Sequence, residues 1–210
     1  MVLTPGPRDA LIVVDVQNDF LPGGSLAVAG GNEIIAPIER LAQRFSNVVM
    51  TQDWHPANHI SFASNHPGKK PFETIGLDYG TQVLWPDHCV IGTHGAAFAP
   101  SLSLPGAQMI IRKGFHREVD SYSGFREADR KTSTGLAGYL RERDFDRVFV
   151  VGLATDFCVG WTAIDARQAG FEAIVVEDAC RAIDANGSLA KAWADMAAAG
   201  VGRTTLATIK

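Results

Sequence analysis

The sequence predicts an α/β protein with three layers, in which helices cover both faces of a mostly parallel sheet of about six strands. Two observations support this prediction. Short, continuously apolar runs rich in Val and Ile recur along the chain, as in strands buried on both faces. Segments with apolar residues at helical spacing separate most of these runs, and this alternation is typical of parallel sheets. The 210 residues are expected to form one domain that covers 1–210.

Six segments are predicted to be strands. The first, residues 10–16, reads ALIVVDV and stays apolar until its aspartate. The other five are residues 48–51, 107–112, 147–151, 173–177 and 204–209. In open parallel sheets, ligands bind beyond the carboxyl ends of the strands. We therefore expect functional side chains where these runs end.

Four segments are predicted to be helices. Residues 31–45 place Ile34, Ile38, Leu41 and Phe45 on one apolar stripe. The other three are residues 136–142, 158–168 and 189–199. These helices supply the connections between successive strands that a doubly covered sheet requires.

The stretch 53–105 interrupts the alternation. It is rich in Pro, Gly, His and Asn, it shows little periodicity, and it contains five of the six histidines. Long irregular segments inside compact domains are usually functional or disordered. The concentration of histidine favours a functional role.

Composition excludes several classes of protein. The formal charge of −4 gives no reason to expect a nucleic acid or an anionic membrane as a partner. Three cysteines without a CxxC pair indicate neither a disulfide framework nor a thiolate zinc site. The first residues lack a signal-peptide pattern, and no apolar run reaches the roughly 20 residues that span a bilayer. We expect a cytoplasmic protein, and the sequence leaves its oligomeric state open, including a homo-oligomer.

Cys158 is the first candidate for chemistry. It lies in GLATDFCVG, where a predicted strand runs directly into a predicted helix. The helix dipole and the free N–H groups of a first turn favour a thiolate, the nucleophilic form, and the same N–H groups can hold an oxyanion. The alternative is a buried cysteine that packs as a small hydrophobic residue.

Asp15 and Lys113 strengthen the case for a nucleophile. Each ends a predicted strand, so both side chains are expected near the sheet edge at which Cys158 lies. An aspartate there can accept a proton, and a lysine beside it can stabilise anionic forms. A structural Asp–Lys ion pair would explain the two residues alone, but the presence of Cys158 at the same edge favours catalysis.

The segment 53–55 predicts a metal site. Residues two apart on an extended chain point to the same side, so Asp53 and His55 can bind one ion. His59 follows four residues later, and His88 lies in WPDHC. An aspartate with two or three imidazoles suits Zn, Fe or Mn and leaves positions for water.

Two aromatic residues and a second cysteine accompany these groups. Phe20 follows the Asp15 segment, and Trp85 precedes His88, so either could pack against a flat ring, although most such residues belong to the core. Cys89 is a rival nucleophile, but no predicted helix begins behind it. We interpret Cys89 as structural.

Together these segments resemble the nicotinamidases of the isochorismatase-like hydrolase superfamily. The matching segments occur in the order of the family and extend over most of the chain: DVQNDF (15–20), TQDWHPANH (51–59), WPDHC (85–89), KG (113–114), YSGF (122–125) and GLATDFCV (152–159). The Asp…Lys…Cys combination marks the superfamily. The DxH pair with a later His beside Trp-Pro marks the nicotinamidase branch.

The resemblance implies an isochorismatase-like fold and a cysteine amidohydrolase that converts nicotinamide to nicotinate and ammonia in NAD salvage, with pyrazinamide as a further substrate. In this family pattern, Cys158 attacks the carboxamide carbon, Asp15 transfers the proton to the leaving ammonia, and Lys113 stabilises the charged pair. A thioester forms and is hydrolysed. A cis peptide before Ala154 turns its N–H, with that of Cys158, into an oxyanion hole.

The resemblance also implies one divalent transition metal ion, with Zn as the first expectation and Fe or Mn as alternatives. Its ligands carry over onto Asp53, His55 and His88, and the ion coordinates the pyridine nitrogen. His59 falls where some members have a further ligand and stays a candidate. Phe20 and Trp85 match the positions that sandwich the pyridine ring.

Two rival interpretations follow from the same residues. Another amidase or an isochorismatase of the superfamily would share Asp15, Lys113 and Cys158 without needing a metal cluster. A non-catalytic binding or regulatory protein on the same fold is the second rival, but such proteins often lack the nucleophile, which this chain has.

Overall fold

The computed structural model describes residues 2–210. It contains eight strands and four α-helices, joined by short 3-10 turns and one π turn. The strands are β1 (Asp9–Val14), β2 (Val48–Asp53), β3 (Thr74–Leu77), β4 (Gly80–Val83), β5 (Ala107–Lys113), β6 (Arg147–Leu153), β7 (Glu172–Arg181) and β8 (Gly202–Thr204). The helices are α1 (Ile35–Ala42), α2 (Leu136–Glu142), α3 (Gly160–Gln168) and α4 (Ser188–Ala198). None of these helices combines the length and the apolar character needed to cross a membrane.

Six strands form one parallel sheet in the order β5-β2-β1-β6-β7-β8. Every residue of β1 and β2 is buried, as expected for strands covered by helices on both faces. Helix α1 contributes an apolar stripe of Ile35, Ile38 and Leu41 to this core. The predicted α/β fold with a six-stranded parallel sheet is confirmed.

The strand order reverses between β1 and β6, which are neighbours in the sheet. From β1 the chain moves to β2 on one side, whereas from β6 it moves to β7 and β8 on the other. Right-handed crossovers in opposite directions place their helices on opposite faces. A crevice therefore opens beyond the carboxyl ends of β1 and β6, the position at which such folds bind ligands.

The last predicted strand, 204–209, is wrong over most of its length. The strand β8 ends at Thr204, and Leu206–Thr208 forms a 3-10 turn. The carboxylate of Asp178 accepts the Leu206 N–H at 2.9 Å, which withdraws that donor from strand pairing. The β-branched composition of this segment predicts a strand, and it carries no sign that the distant Asp178 accepts the Leu206 N–H.

The irregular stretch 53–105 contains a hairpin that the sequence analysis did not predict. Strands β3 and β4 pair in antiparallel fashion across a two-residue loop and form a separate two-stranded sheet. Each strand has only four residues, and β4 does not alternate buried and exposed positions, so the sequence pattern is too short to predict the pair. The predicted helix 31–45 is also shorter than expected, because its first turn is a 3-10 turn, Gly31–Ile34.

Candidate active site

Four chemically active side chains meet at the crevice beyond the strand ends. Asp15 follows β1, Asp53 ends β2 and Lys113 ends β5, in the same sheet, where Asp53 and Lys113 are register partners. Cys158 lies five residues beyond β6 in the π turn Thr155–Val159 that leads into α3. All four residues are buried. The parallel sheet thus brings together residues that are up to 143 positions apart along the chain.

Lys113 is at the centre of this group and is fully buried. Its Nζ lies 2.9 Å from Asp15 Oδ2, forms a short hydrogen bond to Asp53 Oδ1, and is 3.4 Å from Cys158 Sγ. It also donates to the Ser121 carbonyl oxygen at 3.1 Å. Burial opposes the ammonium charge, but the two carboxylates outweigh it and raise the pKa of Lys113 well above its usual value. The lysine therefore supplies a fixed positive charge.

The two carboxylate oxygens of Asp15 have different partners. Thr51 Oγ1 donates to Oδ1 at 2.7 Å, whereas the ammonium Nζ of Lys113 lies 2.9 Å from Oδ2. Burial raises the pKa of Asp15, Lys113 opposes this rise, and the nearby Asp53 adds to it. A carboxylate of raised pKa beside a thiol is a suitable proton acceptor.

Cys158 differs from the expectation based on the helix terminus alone. Carboxylate oxygens of Asp15 and Asp53 and the Cys158 sulfur all lie within 4.8 Å of one another. Burial raises the pKa of the Cys158 thiol well above its usual value; Lys113 opposes this effect, and the two carboxylates add to it. The resting nucleophile is therefore a thiol. Such a thiol needs a base beside it, and Asp15 is adjacent.

The backbone around Cys158 approaches the sheet closely. Gly152, with φ +115°, lies beside Val14, and an added Cβ would come within 2.1 Å of the Val14 carbonyl oxygen. The peptide bond between Leu153 and Ala154 is cis, as the family resemblance implied. Ala154 directly precedes the π turn that carries Cys158 and lines the same pocket as the sulfur.

Asp53, His55 and His88 form a cluster that fits a metal ion. Their donor atoms lie within 4.8 Å of one another, and the Nε2 atoms of His55 and His88 are 3.6 and 3.9 Å from Asp53 Oδ2. The opposite ring nitrogens are each 2.8 Å from a backbone carbonyl oxygen, of Gly114 and of Pro86. A carbonyl contact at Nδ1 leaves Nε2 as the lone-pair donor, the arrangement typical of metal-binding histidines.

Glycine at position 114 makes this arrangement sterically possible. Gly114 has φ +70°, and a Cβ at this position would come within 2.3 Å of His55 Cε1. The KG pair therefore has two functions: Lys113 provides the charge, and Gly114 provides the space and the carbonyl oxygen for the histidine.

The pKa values in the cluster follow its charges. Burial acts to raise the pKa of Asp53, but Lys113 and His55 outweigh it and hold that pKa below its usual range. Burial and the charge of His55 lower the pKa of His88 to about 4. Burial acts to lower the pKa of His55, but the neighbouring Asp53 carboxylate outweighs burial, so the pKa is raised. The site thus combines an ionised carboxylate with at least one neutral imidazole.

His59 lies beside this cluster with its own hydrogen bonds. Its ring centroid is 4.3 Å from that of His55, its Nδ1 contacts Ser61 Oγ at 2.7 Å, and its Nε2 is 3.2 Å from the Val119 carbonyl oxygen. It groups with His55 and the buried Asp120, outside the Asp53, His55 and His88 cluster. Burial and the charge of His55 lower its pKa to about 4.

A narrow pocket connects the sulfur to the metal cluster. Its lining contains the predicted residues Phe20, Trp85, Ala154 and Cys158 together with the metal cluster. Five further lining residues were not predicted from the sequence: Leu26, Asp120, Ser121, Phe157 and Ile183. Phe157 lies within the GLATDFCV segment beside Cys158, whereas the other four lie in loops outside the matching segments. Tyr122 of the YSGF segment also lines the pocket.

The remaining cysteines are not placed for catalysis. Cys89 is fully buried, and burial raises the pKa of its thiol well above its usual value. Cys180 is buried, with Sγ 3.4 Å from the Val176 carbonyl oxygen, and burial raises the pKa of its thiol to about 12. Neither sulfur belongs to the group formed by Asp15, Asp53 and Cys158.

Comparison with known proteins shows where this architecture recurs. The model of the isochorismatase domain family matches residues 9–208. A nicotinamidase of Acinetobacter baylyi is 66% identical over 194 residues, which cover 92% of this chain and 91% of the relative. A nicotinamidase/pyrazinamidase structure from Acinetobacter baumannii superposes with a TM-score of 0.94 at 64% identity, covering 95% and 97% of the two chains. A zinc complex of Pyrococcus horikoshii pyrazinamidase gives a TM-score of 0.78 at 36% identity, covering 95% and 100%.

Proposed function

Because the chain belongs to the isochorismatase family, and within it to the nicotinamidases, we propose that Asp15, Lys113 and Cys158 carry out its reaction. The protein hydrolyses the amide C–N bond of nicotinamide and releases nicotinate and ammonia, the step that serves NAD salvage in this family. The observation that supports the three roles best is the burial of Asp15 between its partners: its Oδ2 is 2.9 Å from the Lys113 ammonium, and its carboxylate lies beside the Cys158 sulfur.

The first half of the reaction forms a thioester. Asp15 Oδ2 accepts the Cys158 thiol proton, and the sulfur attacks the carboxamide carbon. The N–H groups of Ala154 and Cys158 donate to the oxyanion of the tetrahedral intermediate. Asp15 then returns its proton to the departing nitrogen, so the C–N bond breaks, ammonia leaves and the acyl group stays on sulfur.

The second half repeats the proton transfer with water. Asp15 accepts a proton from a water molecule whose oxygen attacks the thioester carbon. The C–S bond breaks, the sulfur takes the proton back from Asp15, and the acid leaves and loses its proton to solvent as nicotinate. Throughout both halves the Lys113 ammonium compensates the charge that passes between Asp15 and Cys158, and its raised pKa keeps that charge in place.

Asp53, His55 and His88 are the residues that would hold a divalent transition metal ion, with Zn as our first choice. The zinc complex of the Pyrococcus pyrazinamidase supports this choice, together with the donor set of one carboxylate and two imidazoles. When bound, such an ion supplies a Lewis acid for a ring nitrogen and for water. Gly114 and Pro86 carbonyl oxygens orient the two imidazoles for it.

The aromatic residues of the pocket position the substrate. Phe20 and Trp85 line the same narrow pocket as Cys158, and we propose that they pack against the pyridine ring. A ring held between the metal cluster and the sulfur would present its carboxamide to Cys158. Pyrazinamide has the same carboxamide on a similar ring, so we propose it as a second substrate.

We also propose a cytoplasmic location and small-molecule substrates as binding partners, without nucleic acid or membrane. The oligomeric state stays open and includes a homo-oligomer. The support for the location is the state of the cysteines: Cys89, Cys158 and Cys180 are all free thiols.

The test is ammonia release from nicotinamide by the parent and by Cys158→Ala, with metal content measured on the same samples. The parent should release ammonia, and the variant should lose at least about a thousandfold in rate, as is typical for removal of a covalent nucleophile. Cys180→Ala is the matched control and should keep the activity. Loss of activity in both variants, or in neither, would contradict the role of Cys158.

A further inference from the structure

The β3–β4 hairpin has no role in the mechanism described above, yet one of its residues is deeply buried. Gln82 is 2% exposed, whereas its neighbours Gly80 and Thr81 on β4 are exposed. A buried glutamine is costly unless its amide is hydrogen-bonded. The contacts of Gln82 therefore show where the hairpin is attached.

The Gln82 amide joins the hairpin to the wall of the substrate pocket. Its Nε2 donates to Asp120 Oδ2 at 2.5 Å and to the Val83 carbonyl oxygen at 2.7 Å, and is 3.3 Å from the Tyr122 hydroxyl. Its Oε1 accepts from the Tyr79 hydroxyl at 3.1 Å. Both ends of the amide are therefore satisfied, and the hairpin contacts both Asp120 and Tyr122 through this one side chain.

Tyr122 continues this network to Trp85. The indole Nε1–H, the only hydrogen-bond donor of that side chain, donates to the Tyr122 hydroxyl oxygen at 3.1 Å. The indole also meets Phe157 and Phe72 edge to face, with ring centroids 5.0 and 5.9 Å away. Aromatic packing alone permits several orientations of the indole, and the hydrogen bond to Tyr122 selects one of them.

We propose that Gln82 is a positioning residue for the aromatic substrate: it fixes Asp120 and Tyr122 and, through the Tyr122 hydroxyl, the orientation of the Trp85 indole that receives the pyridine ring. This inference rests on the proposed role of Trp85 in the pocket. Gln82 forms no hydrogen bond with Asp15, Lys113 or Cys158, so it acts on binding of the ring and not on the bond-making steps.

The proposal predicts a specific division of kinetic effects. Gln82→Leu removes the amide while keeping a side chain of similar size. We expect the KM for nicotinamide to rise about three- to tenfold, the range of one lost hydrogen bond, with kcat within about twofold of the parent. Thr81→Val changes the adjacent residue, whose side chain is on the opposite face of the same strand, and should leave both constants unchanged.

A double-mutant cycle with Tyr122→Phe tests the route through the hydroxyl. Tyr122→Phe should raise KM by a similar factor, and the double variant should show little further increase, because both single changes release the same indole. If Gln82→Leu does not fold, Gln82→Met and Tyr122→Phe provide the same comparison. If the two increases in KM multiply in the double variant, the proposal is wrong.

Two further outcomes would also overturn it. One is an unchanged KM in Gln82→Leu, and the other is a loss confined to kcat. Affinity of nicotinamide for Cys158→Ala, with and without Gln82→Leu, gives a readout independent of turnover and should fall by the same factor. These results differ from a failure of the proposed function, in which the parent itself would release no ammonia.

Discussion

Two regions contribute to this pocket, and they are held in place in different ways. Asp15 and Lys113 lie at the ends of strands that are paired along their length in the central sheet. His55, His88 and Trp85 lie in the segment 54–106, which joins the central sheet through no strand of its own. Both groups of side chains are equally buried, but only the first is positioned by a ladder of backbone hydrogen bonds.

Individual side chains anchor the second region to the first. Gln17, at the end of β1, exchanges two hydrogen bonds of 2.8 Å with the backbone of Asp53 and donates to the Ala96 carbonyl oxygen at 2.9 Å. Asp19 Oδ2 accepts the Cys89 N–H at 2.7 Å, which places the residue next to His88. The DVQNDF motif thus holds the metal-binding segment against the sheet in addition to providing Asp15.

This difference has a practical consequence. A ladder of many hydrogen bonds tolerates a change at its end, so substitutions at the strand ends should alter the chemistry and preserve the geometry. The segment 54–106 is held by single side-chain contacts and isolated backbone hydrogen bonds, so the loss of one contact displaces it more easily than a strand. Substitutions there should alter metal content or substrate affinity.

The largest effect is expected at the strand end. Asp15→Asn removes the proton acceptor and should lower kcat by about a hundredfold to ten-thousandfold, with an unchanged far-UV circular dichroism spectrum and unchanged metal content. Steady-state kinetics on nicotinamide measures the loss. Near-normal kcat would contradict the role of Asp15.

Asp9→Asn is the matched control at the other end of the same strand. Asp9 accepts two hydrogen bonds from Arg147, at 2.9 and 2.7 Å, far from the pocket. Its replacement should reduce the free energy of unfolding by about 1–3 kcal/mol and leave kcat unchanged. Equal kinetic losses in both variants would remove the contrast between the two ends of β1.

An intermediate effect, on metal affinity, is expected in the segment 54–106. His88→Ala removes one of three proposed ligands and should weaken metal affinity by more than about tenfold, since even outer partners of metal ligands contribute that much. Metal analysis after dialysis against a weak chelator measures the change. His94→Ala, at an exposed position of the same segment, should retain the parent metal content. A fully loaded His88→Ala protein would exclude His88 from the site.

The smallest effect concerns the pH dependence of stability. His59 has a pKa of about 4 in the folded protein, against about 6.5 when unfolded, so the unfolded state binds more protons between these values. The contribution of His59 to the free energy of unfolding is complete above about pH 6.5 and decreases as the pH falls towards 4. We expect the metal-free protein to lose about 1–3 kcal/mol across that window through this residue.

Urea unfolding of metal-free protein between pH 7 and pH 4.5 tests this expectation. The free energy of unfolding should fall less steeply in His59→Gln than in the parent, because glutamine does not titrate. His94→Gln, at an exposed position, should follow the parent. Identical slopes for the parent and His59→Gln would show that burial does not perturb His59.

The sequence by itself determined which side chains meet at the strand ends. Apolar runs ending in Asp15 and Lys113, and a strand that leads directly into the Cys158 segment, predict both the parallel sheet and the edge at which these residues meet. The reason is that a strand buried on both faces leaves a local pattern, and parallel strands align their carboxyl ends. The DxH spacing likewise indicated a metal site, because side chains two residues apart on an extended chain point to the same side.

Only the tertiary structure decided the rest. The raised pKa of the Cys158 thiol depends on burial, which Lys113 opposes and the carboxylates of Asp15 and Asp53 reinforce. The contacts of Gln82 with Asp120 and Tyr122 join segments about 40 residues apart. No short sequence pattern predicts such contacts. The burial of a site and the charges around it depend on residues that are distant in the sequence and come together only when the chain folds.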